Sequence, residues 1–198
     1  MIKDGLTPEL KNRMLQEIQK TIKDENEHGF LICVDNKGIL SATESCKGEE
    51  CEIDLENLMN KCSHKVQGDF HTHSHMAVLK NYIETIPRIA LSDEFYKKTF
   101  IENTKKSFIE HKKKNNETLT EPSHFDILST MKLKYNDRTL GTVCIGTDLD
   151  EDTVECWTAK GNITRKDFDR ASRESRLPDS YPKEWTKPLF KKDIINLK

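Results

Sequence analysis

Long apolar runs are missing from this chain. No stretch approaches the roughly 20 residues that a membrane-spanning helix needs, and the polar beginning has no signal-peptide core, so the sequence reads as that of a cytoplasmic protein. A strong charge of one sign is missing too. The formal balance is −2, which argues against a chain whose main business is gripping nucleic acid backbones and makes nucleic acid an unfavoured partner. Internal repeats and paired Cys-x-x-Cys knuckles are also absent. The acidic turn Asp148-Leu149-Asp150-Glu151-Asp152 lacks the spaced ligands and the glycine of a calcium loop, and reads as a solvated turn.

What is present suits one domain with an elaboration. The 198 residues are 34% hydrophobic and 33% charged, enough for a single core under a very polar surface. Six cysteines in a cytosolic chain read as reduced thiols or metal ligands rather than a disulfide framework. Cys33, Cys144 and Cys156 lie in apolar, strand-like runs and read as small buried hydrophobes. Cys46, Cys51, Cys62 and His64 read as a loop with scattered cysteines, with a second, structural zinc as the alternative.

The chemistry concentrates in Gly68-Asp69-Phe70-His71-Thr72-His73. Phe70 and Val66 give this segment strand character. Side chains on a strand alternate faces, so His71 and His73, at i and i+2, point the same way and can grip one metal ion. An open zinc site needs a third protein ligand and leaves the fourth position to water. The candidate is Asp126, in Ser123-His124-Phe125-Asp126, a helix start marked by Pro122 and the Ser123 hydroxyl.

Glu27, His71-Thr72-His73 and Ser123-x-x-Asp126 stand in the order of a known signature, and on these residues the chain resembles the JAMM (MPN-plus) zinc metalloproteases. The resemblance implies an α/β (α+β) fold, a cytidine-deaminase-like central mixed β-sheet flanked by helices. It implies zinc on His71, His73 and Asp126, with Glu27 as general base and Ser123 as a hydrogen-bond donor to the oxyanion. It further implies hydrolysis of an amide, often an isopeptide bond to ubiquitin or a ubiquitin-like modifier, so the expected partner is a protein or peptide substrate. Glu25 is the alternative base. Two readings stand beside the hydrolase: a non-catalytic MPN-like scaffold, and a RadC-like protein, which Glu27-His28-Gly29-Phe30 resembles.

The chain departs from the signature at two points. Ser74 stands where the family has proline after the second histidine, and 53 positions separate His73 from Asp126 where the pattern has about eleven. About 42 residues are therefore inserted, and the metal geometry requires the ends of that insert to return to one place, which loop-closure entropy tolerates.

Around these motifs the pattern predicts a domain over 1–162 and a short helix with a surface tail over 163–198. Thr7-Pro8-Glu9 opens a helix whose apolar face is Leu10, Met14, Ile18 and Ile22. Residues 29–34 form a strand, returned through the turn Asp35–Gly38 as a hairpin, and a helix opens at Asp54 and carries Leu58, Met59 and Cys62. The insertion, about 76–120, carries a helix capped by Ser92-Asp93-Glu94 with Tyr96, Phe100, Thr104 and Phe108 along one side, ending in a disordered-looking run from His111 to Asn116. It reads as a lid or docking arm, with a homodimer contact as the rival. Strands at 142–146 and 154–158 close the domain. His75 and His124 read as exposed, or as supporting the metal ligands from outside.

Overall fold

The fold is described from a computed structural model over residues 2–48, 56–62, 65–75, 79, 94–115, 117, 119, 121–174 and 185–198. A short helix, α1 (Ile2–Gly5), leads into α2 (Pro8–Asp24). Thr7 caps α2 as expected: it is extended, and its hydroxyl accepts from Leu10 N at 3.1 Å. The strands are β1 (His28–Val34), β2 (Leu40–Ala42), β3 (Cys46–Lys47), β4 (Lys65–His73), β5 (Thr142–Thr147), β6 (Asp150–Ala159) and β7 (Phe190–Asn196). The remaining helices are α3 (Glu94–Lys114), α4 (His124–Tyr135) and α5 (Arg165–Glu174), with 3-10 turns at Glu56–Lys61 and Lys187–Leu189.

The architecture is mixed α/β, built on one seven-stranded mixed sheet in the order β2-β1-β4-β5-β6-β7, with β3 also paired to β1. Only β4 and β5 pair in parallel among the described strands, and a parallel pair needs a crossover. Here the crossover is the long excursion carrying α3 and α4. Gly68 makes the close approach of these strands workable, because a β-carbon there would stand 1.8 Å from the Thr142 carbonyl oxygen.

Strand alternation sorts the core into two layers. Phe30, Ile32, Phe70 and Cys144 turn to one face and are covered by Leu10, Met14 and Ile18 of α2. Val143, Ile145 and Trp157 turn to the other and meet Ile127, Leu128 and Met131 of α4 and Ala171 of α5. Each fully buried side chain of this kind contributes about 1.5–3 kcal/mol. The sheet is therefore held between α2 on one side and α4 with α5 on the other.

Several expectations are corrected. Ile22 is 42% exposed, and Glu17 and Thr21 of α2 are buried in its stead. Glu17 can be buried because Arg13, Lys20 and Ser45 surround its carboxylate. The closing segment is no surface tail: β7 pairs with β6 over seven positions and buries Phe190 and Ile195. The run from His111 does not fray, since α3 continues to Lys114 and the Lys112 ammonium meets Glu117 at 2.8 Å above the Phe108 ring. Four of the six cysteines are paired, Cys33 with Cys62 and Cys144 with Cys156, so Cys62 is no zinc ligand here, and Cys46 Sγ lies 3.4 Å from the Gly29 carbonyl. Cys51, His64, the helix opening at Asp54 and the cap Ser92-Asp93 lie outside the described residues. No described helix is long and apolar enough to cross a membrane.

Candidate metal centre

Phe70 and Thr72 of β4 face α2, which leaves Asp69, His71 and His73 on the face toward α4. Helix α4 brings its first turn to the same place. Its capping box is reciprocal: the Ser123 hydroxyl accepts from Asp126 N at 3.2 Å, and Asp126 Oδ2 accepts from Ser123 N at 2.6 Å. The cap thus fixes the Asp126 side chain as well as the helix end.

The result is a group of three ligand atoms, from His71, His73 and Asp126, all within 4.8 Å of one another. His71 Nε2 lies 3.3 Å from Asp126 Oδ1, and His73 Nε2 lies 3.4 Å from Asp126 Oδ2. Two donors bound to a tetrahedral ion at about 2.0–2.1 Å stand about 3.3 Å apart, so the spacing fits a metal such as zinc. The 53-position separation of His73 and Asp126 has not kept the ligands apart. This group could hold a metal ion.

Asp69 is a member of the site that the motif did not reveal. Its Oδ2 lies 2.8 Å from His71 Nδ1. A carboxylate can only accept, so Nδ1 carries a proton donated to Asp69, and Nε2 is the nitrogen that faces Asp126. The spacing was a legible signal: Asp69 is two residues before His71 on the same strand face. Burial raises the Asp69 carboxyl despite the His71 hydrogen bond. Burial would lower His71, but the Asp126 charge, with hydrogen bonds to Asp126 and Asp69, holds it well above the ordinary imidazole value. Burial likewise opposes ionisation of Asp126, and the two histidines outweigh it and hold that carboxyl well below its ordinary range.

Glu27 comes in from the β1 side. β1 and β4 pair antiparallel with Gly29 opposite His71, and one more pair along puts His28 at Thr72. Thr72, fully buried between the two histidines, clamps that pair: its hydroxyl accepts from His28 N at 2.9 Å, lies 3.2 Å from His28 O, and meets Thr21 Oγ1 at 2.5 Å. Glu27, the residue just before β1, is buried, and the charges of His73, His71 and Asp126 act on it. Its carboxyl is raised by burial, partly offset by His73 and His71 and reinforced by Asp126. No hydrogen-bond donor to its carboxylate is found among the described residues. Glu25, the alternative base, instead closes α2 in the left-handed region at φ 58° and is exposed.

Ser123 is exposed at the rim, beside Phe125, which is 52% exposed. His75 and His124 are both buried, contrary to an exposed reading. His75 Nδ1 meets Asp148 Oδ2 at 2.5 Å, and His124 Nε2 lies 3.6 Å from Glu174 Oε2. No family model, curated protein or solved structure matches this chain.

Proposed function

We propose that the chain is a zinc-dependent hydrolase of the JAMM type that cleaves an amide or isopeptide bond in a peptide or a ubiquitin-like conjugate. The observation that carries this reading is Glu27, a buried carboxylate without a described hydrogen-bond donor, just ahead of β1 and under the charges of the three residues His71, His73 and Asp126. A purely structural metal site is closed by protein ligands and has no use for a spare carboxylate beside three donors.

Zinc held by His71, His73 and Asp126 would supply Lewis acidity, activating a water and polarising the scissile carbonyl. The rest is the work of this chain's residues. Glu27, whose carboxyl burial raises above its ordinary range, accepts the proton of the attacking water and delivers it to the leaving amine nitrogen. The Ser123 hydroxyl, whose oxygen already accepts from Asp126 N, keeps its hydrogen to donate to the developing oxyanion. Asp69 keeps His71 in the tautomer that presents Nε2.

The test is elemental analysis of the purified protein beside His73→Ala, followed by cleavage assays on peptide amides and isopeptide-linked modifier conjugates with Glu27→Gln as control. About one zinc per chain in wild type, lost in His73→Ala, together with cleavage lost in a Glu27→Gln protein that retains zinc, is the expected result. A wild-type protein that takes up no zinc after reconstitution would sink the hydrolase and leave the interaction scaffold.

A further inference from the structure

We propose that the His75–Asp148 pair is a positioning device for this centre, bridging the ends of β4 and β5 just beyond His73 and so fixing the second histidine where the chain departs on its long excursion. The inference rests on the metal-centre reading above. His73 is the last residue of β4 and pairs in parallel register with Thr147, the last residue of β5. The chain then diverges, one strand leaving toward the insertion and the other turning back into β6. Two residues past His73, and one past Thr147, His75 Nδ1 meets Asp148 Oδ2 at 2.5 Å across 73 positions of sequence.

The pair is built into the fold. The side chains of His75 and Asp148 are only 10% and 6% exposed, and a charge-assisted bond strengthens where water is excluded. Thr147 Oγ1 lies 3.4 Å from the other Asp148 oxygen and 3.3 Å from Leu149 N, which ties the acceptor to β5. Leu149 then packs with Leu79, Phe108 and Ile109, so the insertion docks on the turn that carries Asp148. Ser74 lacks the fixed φ that a proline would impose at the exit from β4. The bridge restrains that exit instead, and with it the His73 ring, while the capping box restrains the other end of the excursion at Asp126.

The test uses cobalt(II) as the probe, with affinity and visible absorption bands read for the full chain and its variants. Groups that orient metal ligands from outside typically change affinity 10–100-fold. His75→Ala and Asp148→Ala are each expected to weaken cobalt binding at least about tenfold and to shift the bands, the double variant being no worse than either. His75→Asn, whose side-chain N–H can replace Nδ1–H, is expected to recover most of the affinity and the wild-type spectrum. Circular dichroism checks each fold, and His75→Phe, which keeps a ring of similar size without Nδ1–H, decides if either alanine variant fails to fold: unchanged affinity and bands there would overturn the proposal. A folded His75→Ala within twofold of wild type with unchanged bands would overturn it alone. A wild type that binds no cobalt would overturn it together with the metal reading.

Discussion

Gly29 lies directly opposite His71 in the β1–β4 pair, and a β-carbon at Gly29 would stand 2.5 Å from the Phe70 carbonyl oxygen and 2.9 Å from His71 Cβ. Backbone cannot step aside as a flexible side chain would, so the missing side chain on β1 is what lets the histidine strand come close. Gly29→Ala is expected to destabilise the fold by about 1–3 kcal/mol, the usual range for overpacking. It should also weaken zinc binding, because the displaced strand carries two of the three candidate ligands, His71 and His73. Urea unfolding with and without zinc checks both effects. A variant as stable as wild type, binding zinc equally well, would show that the strands separate freely.

Asp69 touches His71 Nδ1, so any effect of Asp69 on a metal held by this group would pass through the His71 ring. Asp69→Ala removes the acceptor at Nδ1 and frees the imidazole to take the other tautomer or to rotate, with an expected 10–100-fold loss of zinc affinity. Asp69→Asn keeps an acceptor oxygen without its charge and should lose less. Competition with a chromophoric chelator gives the two affinities, and equal binding by wild type and Asp69→Ala would remove Asp69 from the site.

The ligand group was legible because its pattern is local: an i, i+2 pair on a strand, and a Ser-x-x-Asp whose two side chains cap each other. What escaped is what folding brings together from a distance. Asp148 is 73 positions from His75, and nothing in a two-residue turn announces a histidine partner. Cysteine spacing does not determine connectivity, so the pairs Cys33–Cys62 and Cys144–Cys156 had no sequence signal. β7 was hidden by Lys191, Lys192 and Asp193 between Phe190 and Ile194, a polar interior that an edge strand can carry. Ile22 misled for a different reason: periodicity puts it on the apolar stripe of α2 but gives no account of the buried Glu17 carboxylate enclosed by Arg13, Lys20 and Ser45.

Asp24 links the end of α2 to two strands, through His28 Nε2 at 3.0 Å and Lys47 Nζ at 2.8 Å. Burial pushes its carboxyl up, but the Lys47 and His28 hydrogen bonds outweigh that and hold it well below the usual carboxylate range. A carboxyl lowered on folding contributes stability above its unfolded value of about 3.9, and that contribution is lost as pH falls through the folded value. Asp24→Asn should therefore be less stable than wild type at pH 7, by about 1 kcal/mol or less for so accessible a pair, with the gap narrowing below about pH 4. Urea midpoints measured from pH 7 down to about 3 test the sign. A gap that widens on acidification would refute it.

The two disulfides should behave differently. Cys33–Cys62 closes 29 positions and fastens β1 to the segment after the Glu56–Lys61 turn, whereas Cys144–Cys156 closes 12 and joins residues already paired between β5 and β6. Loop-closure entropy gives about 3–4 kcal/mol for the first and about 3 kcal/mol for the second. Access runs the same way. Cys144 and Cys156 are fully buried and Cys62 is partly exposed, so a mild reductant should open Cys33–Cys62 first and reach Cys144–Cys156 only as the protein unfolds. Mass spectrometry of alkylated samples, taken as reductant is raised, follows the order, and urea midpoints follow the stability. At most two thiols should react in denaturant without reductant, since the two bonds occupy four of the six cysteines. Six reactive thiols would mean that these sulfurs are neighbours in a reduced core, and that the strands are held by packing and ladder hydrogen bonds without a covalent link.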